Sequence, residues 1–203
     1  MGRAPEFGVS GRRRVGIFGG TFDPPHLGHV AVARDVADAL ALDQVVWMPA
    51  GIPPHKAADE ITSAGVRLAM VRAAIEGHED FVVSDLEISR PGLSYTVDTL
   101  RELQGAGEDT DHVLILGVDQ YRSLDSWRLP EEIRTRARIA VMDRGGESMP
   151  PDENSQRVLS VAVRRVDVSS TDVRRRVRDG DDVSGLVPDG VASLIHSQGL
   201  YST

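Results

Sequence analysis

The feature that most constrains the fold is an alternation of short apolar runs with amphipathic stretches, sustained along the chain. Arg14-Val15-Gly16-Ile17-Phe18 reads as a short buried strand, stopped by Gly19 and Gly20. From Gly28 the apolar residues Val30, Val32, Ala33, Val36, Ala37 and Leu40 recur at helical spacing. Val45-Val46-Trp47-Met48 is a second strand, closed by Pro49. Strand, helix and strand in the first fifty residues make a βαβ unit. The pattern then predicts a helix over 66–75, short strands at 81–83 and 86–88, and a helix over 96–103. A central strand follows at 112–116, a helix over 130–136 with proline at its first position, and a strand at 138–142. Residues 145–154 read as a polar surface loop, 161–168 as the last strand, and 170–178 and 188–197 as terminal helices. Such alternation predicts an α/β domain with a largely parallel sheet and helices on both faces, plus a small C-terminal helical part. Ligands of such sheets bind beyond the carboxyl ends of the strands, where strand order reverses.

Length and composition set the outer bounds. A chain of 203 residues suits one domain, and 40% hydrophobic content lies in the globular range. Residues 1–12 read as a flexible arm or vector-derived remnant, and 13–203 as the working domain. The formal net charge of −8 argues against non-specific nucleic-acid binding and against docking on an anionic membrane, but not against an anionic ligand in a locally positive pocket. No apolar run approaches a membrane span, and the first residues lack the hydrophobic core of a secretory signal. The absence of cysteine removes disulfides, thiolate metal sites and cysteine nucleophiles, and fits a cytoplasmic protein. Of 23 basic residues only Lys56 is a lysine, which reads either as a position where a compact ammonium is wanted rather than a planar fork or as chance.

Two segments carry chemistry. The first, Gly19-Gly20-Thr21-Phe22-Asp23-Pro24-Pro25-His26-Leu27-Gly28-His29, sits where an α/β protein places its phosphate loop. Its glycines admit close approach to the backbone, and the following helix start offers free N–H groups to an anion. His26 and His29 can both donate to phosphate oxygens. Neither common glycine-rich phosphate fingerprint is present, and no zinc spacing accompanies the histidines. The second segment is Ser169-Ser170-Thr171-Asp172-Val173-Arg174. Ser170 or Thr171 alone would be a helix cap. Arg174, one turn on and leaning back toward the helix start, adds a guanidinium that can converge with the hydroxyls on one anion.

Together, and in this order, the two segments resemble the nucleotidyltransferase superfamily that carries the HxGH signature. The intervening stretches are similar to those of bacterial nicotinate-nucleotide adenylyltransferases. These are Met48-Pro49-Ala50-Gly51-Ile52-Pro53-Pro54-His55-Lys56, Ser94-Tyr95-Thr96-Val97-Asp98-Thr99-Leu100, Gly117-Val118-Asp119, the tryptophan of Leu124-Asp125-Ser126-Trp127, and Val187-Pro188-Asp189-Gly190. The resemblance runs from about Arg14 to Tyr201 and implies a Rossmann-like, doubly wound sheet.

It also implies a reaction: ATP and nicotinic acid mononucleotide give nicotinic acid adenine dinucleotide and pyrophosphate, a step of NAD biosynthesis. By that resemblance His26 and His29 would hold the ATP phosphates and stabilise the transition state. Gly19, Gly20 and Thr21 would offer backbone contacts, Ser170, Thr171 and Arg174 would bind the outer phosphates, and Gly117 and Asp119 would lie near the adenosine ribose. Lys56 would add positive charge near the reacting phosphates. Trp127 would stack on the pyridine ring, and the amides of Thr96 and Arg128 would receive the nicotinate carboxylate. Mg2+ would travel on the triphosphate without protein ligands. Each residue has a plainer role: Trp127 as core, Asp119 as a helix cap, Asp23 as a loop brace, and Tyr95 and Asp98 as structural. Arg128 stands where several relatives carry an aromatic, and its guanidinium offers a further partner for the nicotinate carboxylate. The rivals are another HxGH enzyme, such as pantetheine-phosphate adenylyltransferase or a cytidylyltransferase, use of the amide mononucleotide, and a non-catalytic nucleotide sensor. The sequence leaves open whether the chain forms a homo-oligomer.

Overall fold

The computed structural model describes residues 11–54, 61–105, 109–143 and 157–202. Most of the N-terminal arm, Lys56 and the whole 145–154 loop lie outside the described residues. Six parallel strands form one sheet: β1 (Arg13–Gly20), β2 (Gln44–Pro49), β3 (Phe81–Val83), β4 (Thr110–Gly117), β5 (Arg138–Asp143) and β6 (Val158–Ala162). Their spatial order is β3-β2-β1-β4-β5-β6. The chain winds outward from β1 to β3, then returns to lay β4 on the other side of β1. Strand order therefore reverses between β1 and β4, and that is where a doubly wound sheet opens a crevice at its carboxyl edge.

Both faces of the sheet are covered, and β4 shows why its sequence reads as a continuous apolar run. Successive side chains point to opposite faces, so Val113 and Ile115 join one core cluster while Leu114 and Leu116 join the other. The first cluster takes the apolar stripe of α1 (Leu27–Leu40), including Val32, Val36 and Leu40. The second takes Val97 and Leu100 of α4 (Thr96–Gly105), Tyr121 of α5 (Val118–Arg122) and Ile133 of α6 (Pro130–Arg136). A third cluster joins α2 (Ala64–Ala74), α7 (Ser170–Asp179) and α8 (Asp189–Ser197) through Met70, Val173, Val191 and Ile195. In it α7 and α8, the C-terminal helical part, pack on α2, and the α7 entrance is carried toward the sheet edge. At the β3 edge, Arg34 grips Asp80 with two hydrogen bonds of 2.6 and 2.8 Å and lies over the Phe81 ring. Among the described residues no helix is long and apolar enough to cross a membrane.

Two expected elements are corrected. Residues 86–88 are not a strand but one helical turn, α3 (Leu86–Ser89). The Ser84 hydroxyl takes the Leu86 N–H at 3.3 Å and Ser89 N–H closes on the Asp85 carbonyl at 2.8 Å. Local bonds thus win over pairing where β3 is already the sheet edge. The last strand spans Val158–Ala162, earlier than the expected 161–168. Its partner β5 ends at Asp143, and the Arg164 N–H donates to the Asp35 carboxylate at 2.7 Å instead of a ladder. The alternating valines beyond Ala162 mimic a strand in sequence, but after Val163, whose N–H donates to the Asp143 carbonyl at 2.9 Å, no strand continues among the described residues.

Candidate active site

The first wall of the site is the turn between β1 and α1. His26 is the N-cap of α1, in extended backbone, and it forms a reciprocal cap with His29. The His29 N–H donates to His26 Nδ1 at 3.3 Å, and the His26 N–H donates to His29 Nδ1 at 3.1 Å. A ring nitrogen that accepts carries no proton, so in the neutral rings the proton sits on Nε2. The two imidazoles stack with centroids 3.6 Å apart. The glycine between them is needed for that stack, since an added Cβ at Gly28 would stand 3.0 Å from His26 Nδ1 and 3.2 Å from Val168 Cγ1. The His29 ring also meets Phe22 edge-on at 5.2 Å. Phe22 holds φ 51, a left-handed backbone unusual for a bulky residue. Its ring packs against Phe18 and Trp47.

The opposite wall is the entrance of α7. Ser169 caps the helix by accepting the Asp172 N–H at 3.1 Å. Ser170 donates its hydroxyl to the Pro24 carbonyl at 2.8 Å, and Arg174 donates to the Asp23 carbonyl at 2.7 Å. Two segments about 150 residues apart are thereby bonded face to face. Between them, beyond the carboxyl ends of β1, β4 and β5, lies a cleft of about 720 Å³ including its mouth. Gly19, Gly20, Thr21, His29, Gly117, Ser170 and Arg174 line it.

The remaining expected residues fall less directly. His26 is buried behind His29. Thr171 is exposed, with its hydroxyl 3.4 Å from Arg174. The Asp119 carboxylate is 92% exposed beside Arg122, outside the cleft lining. Its place is taken by Gln120, whose Oε1 accepts the Gly117 N–H at 3.0 Å and whose side chain lines the cleft with Met142. Sequence reasoning missed both. Their signal is positional, because Gln120 follows the end of β4 and Met142 stands near the end of β5, at the edge where such sheets bind ligands.

A second cleft, of about 590 Å³, is lined by Pro54, Ser94, Tyr95, Thr96, Ser126, Trp127, Arg128 and Ile133. Trp127 is half-buried against the second core cluster and turns into this cleft, so it is partly core and partly wall. Thr96 starts α4, whose first amides and dipole favour an anion. Arg128 lies over the Tyr95 ring at 4.9 Å and donates to Asp98 at 2.9 Å. Its charge is therefore shared with a carboxylate at the rim. Tyr95 and Asp98, read from sequence as structural, hold this arginine in place. The mononucleotide set is brought together here, apart from Lys56, which lies outside the described residues.

Behind both clefts sits a buried polar framework. Asp23 is 3% exposed; its carboxylate accepts the Tyr201 hydroxyl at 2.6 Å and the Thr62 N–H at 3.1 Å. It is a brace, as the sequence suggests. Burial first, and then that bond to Asp23, push the Tyr201 hydroxyl well above the ordinary phenol range, so it stays a donor. Arg67, wholly buried, donates to three carbonyls: Thr62, Thr21 and Gly51, each at 2.9 Å. Burial lowers the guanidinium from its usual value, and the charge on Asp23 opposes that shift. Among the described residues no group of three or more His, Asp or Glu side chains could hold a metal ion. The groups that line the first cleft include imidazole, backbone, hydroxyl and guanidinium donors, a set that suits anionic oxygens.

The chain is similar to known proteins over nearly its whole length. Residues 17–176 match the cytidylyltransferase-like family. A relative from Salinibacter ruber, named a probable nicotinate-nucleotide adenylyltransferase, is 42% identical over 189 residues, covering 92% of this chain and 97% of its own. A relative of the same name from Geobacillus thermodenitrificans is 39% identical, covering 93% and 86%. A solved structure of Plasmodium falciparum nicotinic acid mononucleotide adenylyltransferase complexed with NaAD superposes with a TM-score of 0.78 at 18% identity, covering 94% of this chain and 98% of that one. The same protein complexed with APC gives 0.76 at 17% identity, with the same coverage. At that identity the likeness establishes the fold.

Proposed function

The chain belongs to the cytidylyltransferase-like family and, by its curated relatives, to the nicotinate-nucleotide adenylyltransferases, and from that premise we propose how its two clefts divide the reaction between ATP and nicotinic acid mononucleotide. The cleft between the histidine turn and the α7 entrance takes the triphosphate. The cleft of Trp127 takes the pyridine mononucleotide. The observation that carries this assignment is the facing of His29 and Gly19 to Thr21 by Ser170 and Arg174 across one opening.

The chemistry is an in-line displacement. A phosphate oxygen of the mononucleotide attacks the α-phosphorus of ATP, forming a new P–O bond as the bond to pyrophosphate breaks, so the dinucleotide and pyrophosphate leave. No protein nucleophile is required, and the protein's work is positioning and charge stabilisation. The Nε2–H of His29, with His26 stacked behind it, donates to phosphate oxygens on which charge builds. Ser170, Thr171 and Arg174 hold the departing pyrophosphate. Lys56 adds charge near the reacting phosphates. The backbone of Gly19 to Thr21 and Gly117 borders the nucleotide, and the Gln120 side chain, rather than Asp119, faces it from the end of β4. Trp127 stacks on the pyridine, and the Thr96 and Arg128 amides receive its carboxylate, with the Arg128 side chain, shared with Asp98, neutralising the rim. Mg2+ fits this cleft as an ion carried by phosphate oxygens and water, because the nearest carboxylate, Asp23, is already held by Tyr201 and Thr62. When bound it would neutralise triphosphate charge. The absence of cysteine and the soluble substrates support a cytoplasmic setting, working on small molecules rather than nucleic acid or membrane.

The direct test is pyrophosphate release from ATP with nicotinate mononucleotide, nicotinamide mononucleotide and phosphopantetheine in parallel. The acid mononucleotide is expected to be used with kcat/KM at least about 100-fold above the amide, because the carboxamide oxygen can accept from one of the two backbone amides while its NH2 group faces the other. Equal use of phosphopantetheine would overturn the assignment of the Trp127 cleft.

A further inference from the structure

We infer that Arg67 is a positioning residue that holds the two substrate clefts in register, an inference that rests on the division of labour between the clefts described above. The three carbonyls it binds belong to three different segments. Thr21 lines the triphosphate cleft. Gly51 begins the segment after β2 that reaches Pro54 on the wall of the pyridine cleft. Thr62 stands just before α2, and its N–H holds the Asp23 carboxylate. One planar, wholly buried guanidinium thus fixes two walls against a common helix.

The connection continues on the far side of Gly51. Its N–H donates to the Ser94 hydroxyl at 2.9 Å, and the Ser94 N–H donates to the Ile52 carbonyl at 2.9 Å. Ser94 lines the pyridine cleft two residues before the start of α4. Gly51 has no space for a side chain, because an added Cβ would run into the Glu87 carbonyl. The path from one cleft to the other is therefore Thr21, Arg67, Gly51, Ser94, with a hydrogen bond at each step. Each cleft keeps its own ligand contacts without Arg67. What depends on Arg67 is their separation and angle, hence the alignment of the attacking oxygen with the α-phosphorus. In-line displacement is sensitive to sub-ångström placement, so loosening this tie acts on turnover before it acts on the binding of either substrate.

Lysine at this position keeps the charge but reaches one carbonyl in place of three. The experiment compares wild type, Arg67→Lys, Ser94→Ala and the stability control Arg34→Ala, whose ion pair lies at the β3 edge. Both substrates are varied at a temperature where circular dichroism shows each protein folded. For Arg67→Lys the expected result is a kcat at least about tenfold lower, with either KM moving less than about threefold. Ser94→Ala should shift kcat in the same direction by about threefold or more. Arg34→Ala should lower the melting temperature and leave kcat at the wild-type value. A folded Arg67→Lys with wild-type kcat, or one that changes only KM, overturns the inference. If Arg67→Lys does not fold, wild-type kcat in Ser94→Ala overturns it instead. A wild-type chain that makes no dinucleotide overturns the functional reading and this inference with it; a wild type that does so beside an unimpaired Arg67→Lys overturns this inference alone.

Discussion

Replacing His29 with alanine is expected to lower kcat by about 100- to 1000-fold, the usual consequence of removing one preorganised donor to developing charge. The ring proton placed on Nε2 by the reciprocal cap is the group lost. KM for ATP should change far less than kcat, because the interaction strengthens as the transition state forms. His29 has a second role, since its Nδ1 accepts the His26 N–H at the start of α1. Alanine removes that cap as well, at about 1 kcal/mol out of a total of about 5–15 kcal/mol, which a melting curve detects without the domain unfolding. His29→Asn separates the two roles. Its side-chain oxygen can keep the cap while it offers no donor where Nε2–H stood. If Asn is as inactive as Ala but melts near wild type, the loss is chemical. Turnover within tenfold of wild type in either variant would remove His29 from its assigned role, and steady-state kinetics with a melting curve decide it.

The second large effect is expected at a residue with no polar side chain. Gly28→Ala places a Cβ 3.0 Å from His26 Nδ1, 3.1 Å from His26 Cε1 and 3.2 Å from Val168 Cγ1. The two nearest of these atoms belong to the His26 ring, so the crowding falls first on the imidazole. Moving it by a few tenths of an ångström disturbs the 3.6 Å stack that backs His29. A misplacement of about 1 Å at a reacting site costs about 100-fold in rate, so a shift of a few tenths is expected to cost about tenfold. The helix itself favours alanine over glycine by about 1 kcal/mol, which offsets the crowding in stability but not in rate. The signature is therefore a near-normal melting temperature with a kcat at least about tenfold lower. Full activity would mean the histidine stack has slack that the geometry does not suggest.

How much of this was legible in the sequence differs from element to element, for physical reasons. β1, α1, β2 and β4 are read correctly because their periodicities are long and each is closed by glycine, proline or a helix cap. The histidine turn and the α7 entrance are legible as anion sites because backbone amides at a helix start and convergent donors have a local sequence signature. That the two face each other depends on the order β3-β2-β1-β4-β5-β6, which no local pattern encodes. The turn at Leu86–Ser89 is misread as a strand because its apolar residues alternate, while the Ser84 hydroxyl and the sheet edge decide otherwise. Asp119 looks like a ribose partner by its place after β4, yet its side chain turns toward Arg122 and Gln120 lines the cleft. Arg67 is the least legible. In a chain that uses arginine almost throughout, an arginine on an amphipathic helix reads as a solvated one. It is wholly buried because the loops after β1 and β2 both present carbonyls to the start of α2, a meeting that exists only once the sheet is wound.

The most direct test of the central claim is the structure of the chain bound to a non-hydrolysable ATP analogue. The phosphates are expected between the Gly19–Thr21 turn and the α7 entrance, with oxygens within hydrogen-bonding reach of His29 Nε2, Ser170 and the Arg174 guanidinium. A triphosphate seated in the Trp127 cleft, or anywhere that touches only one of those two walls, would contradict it.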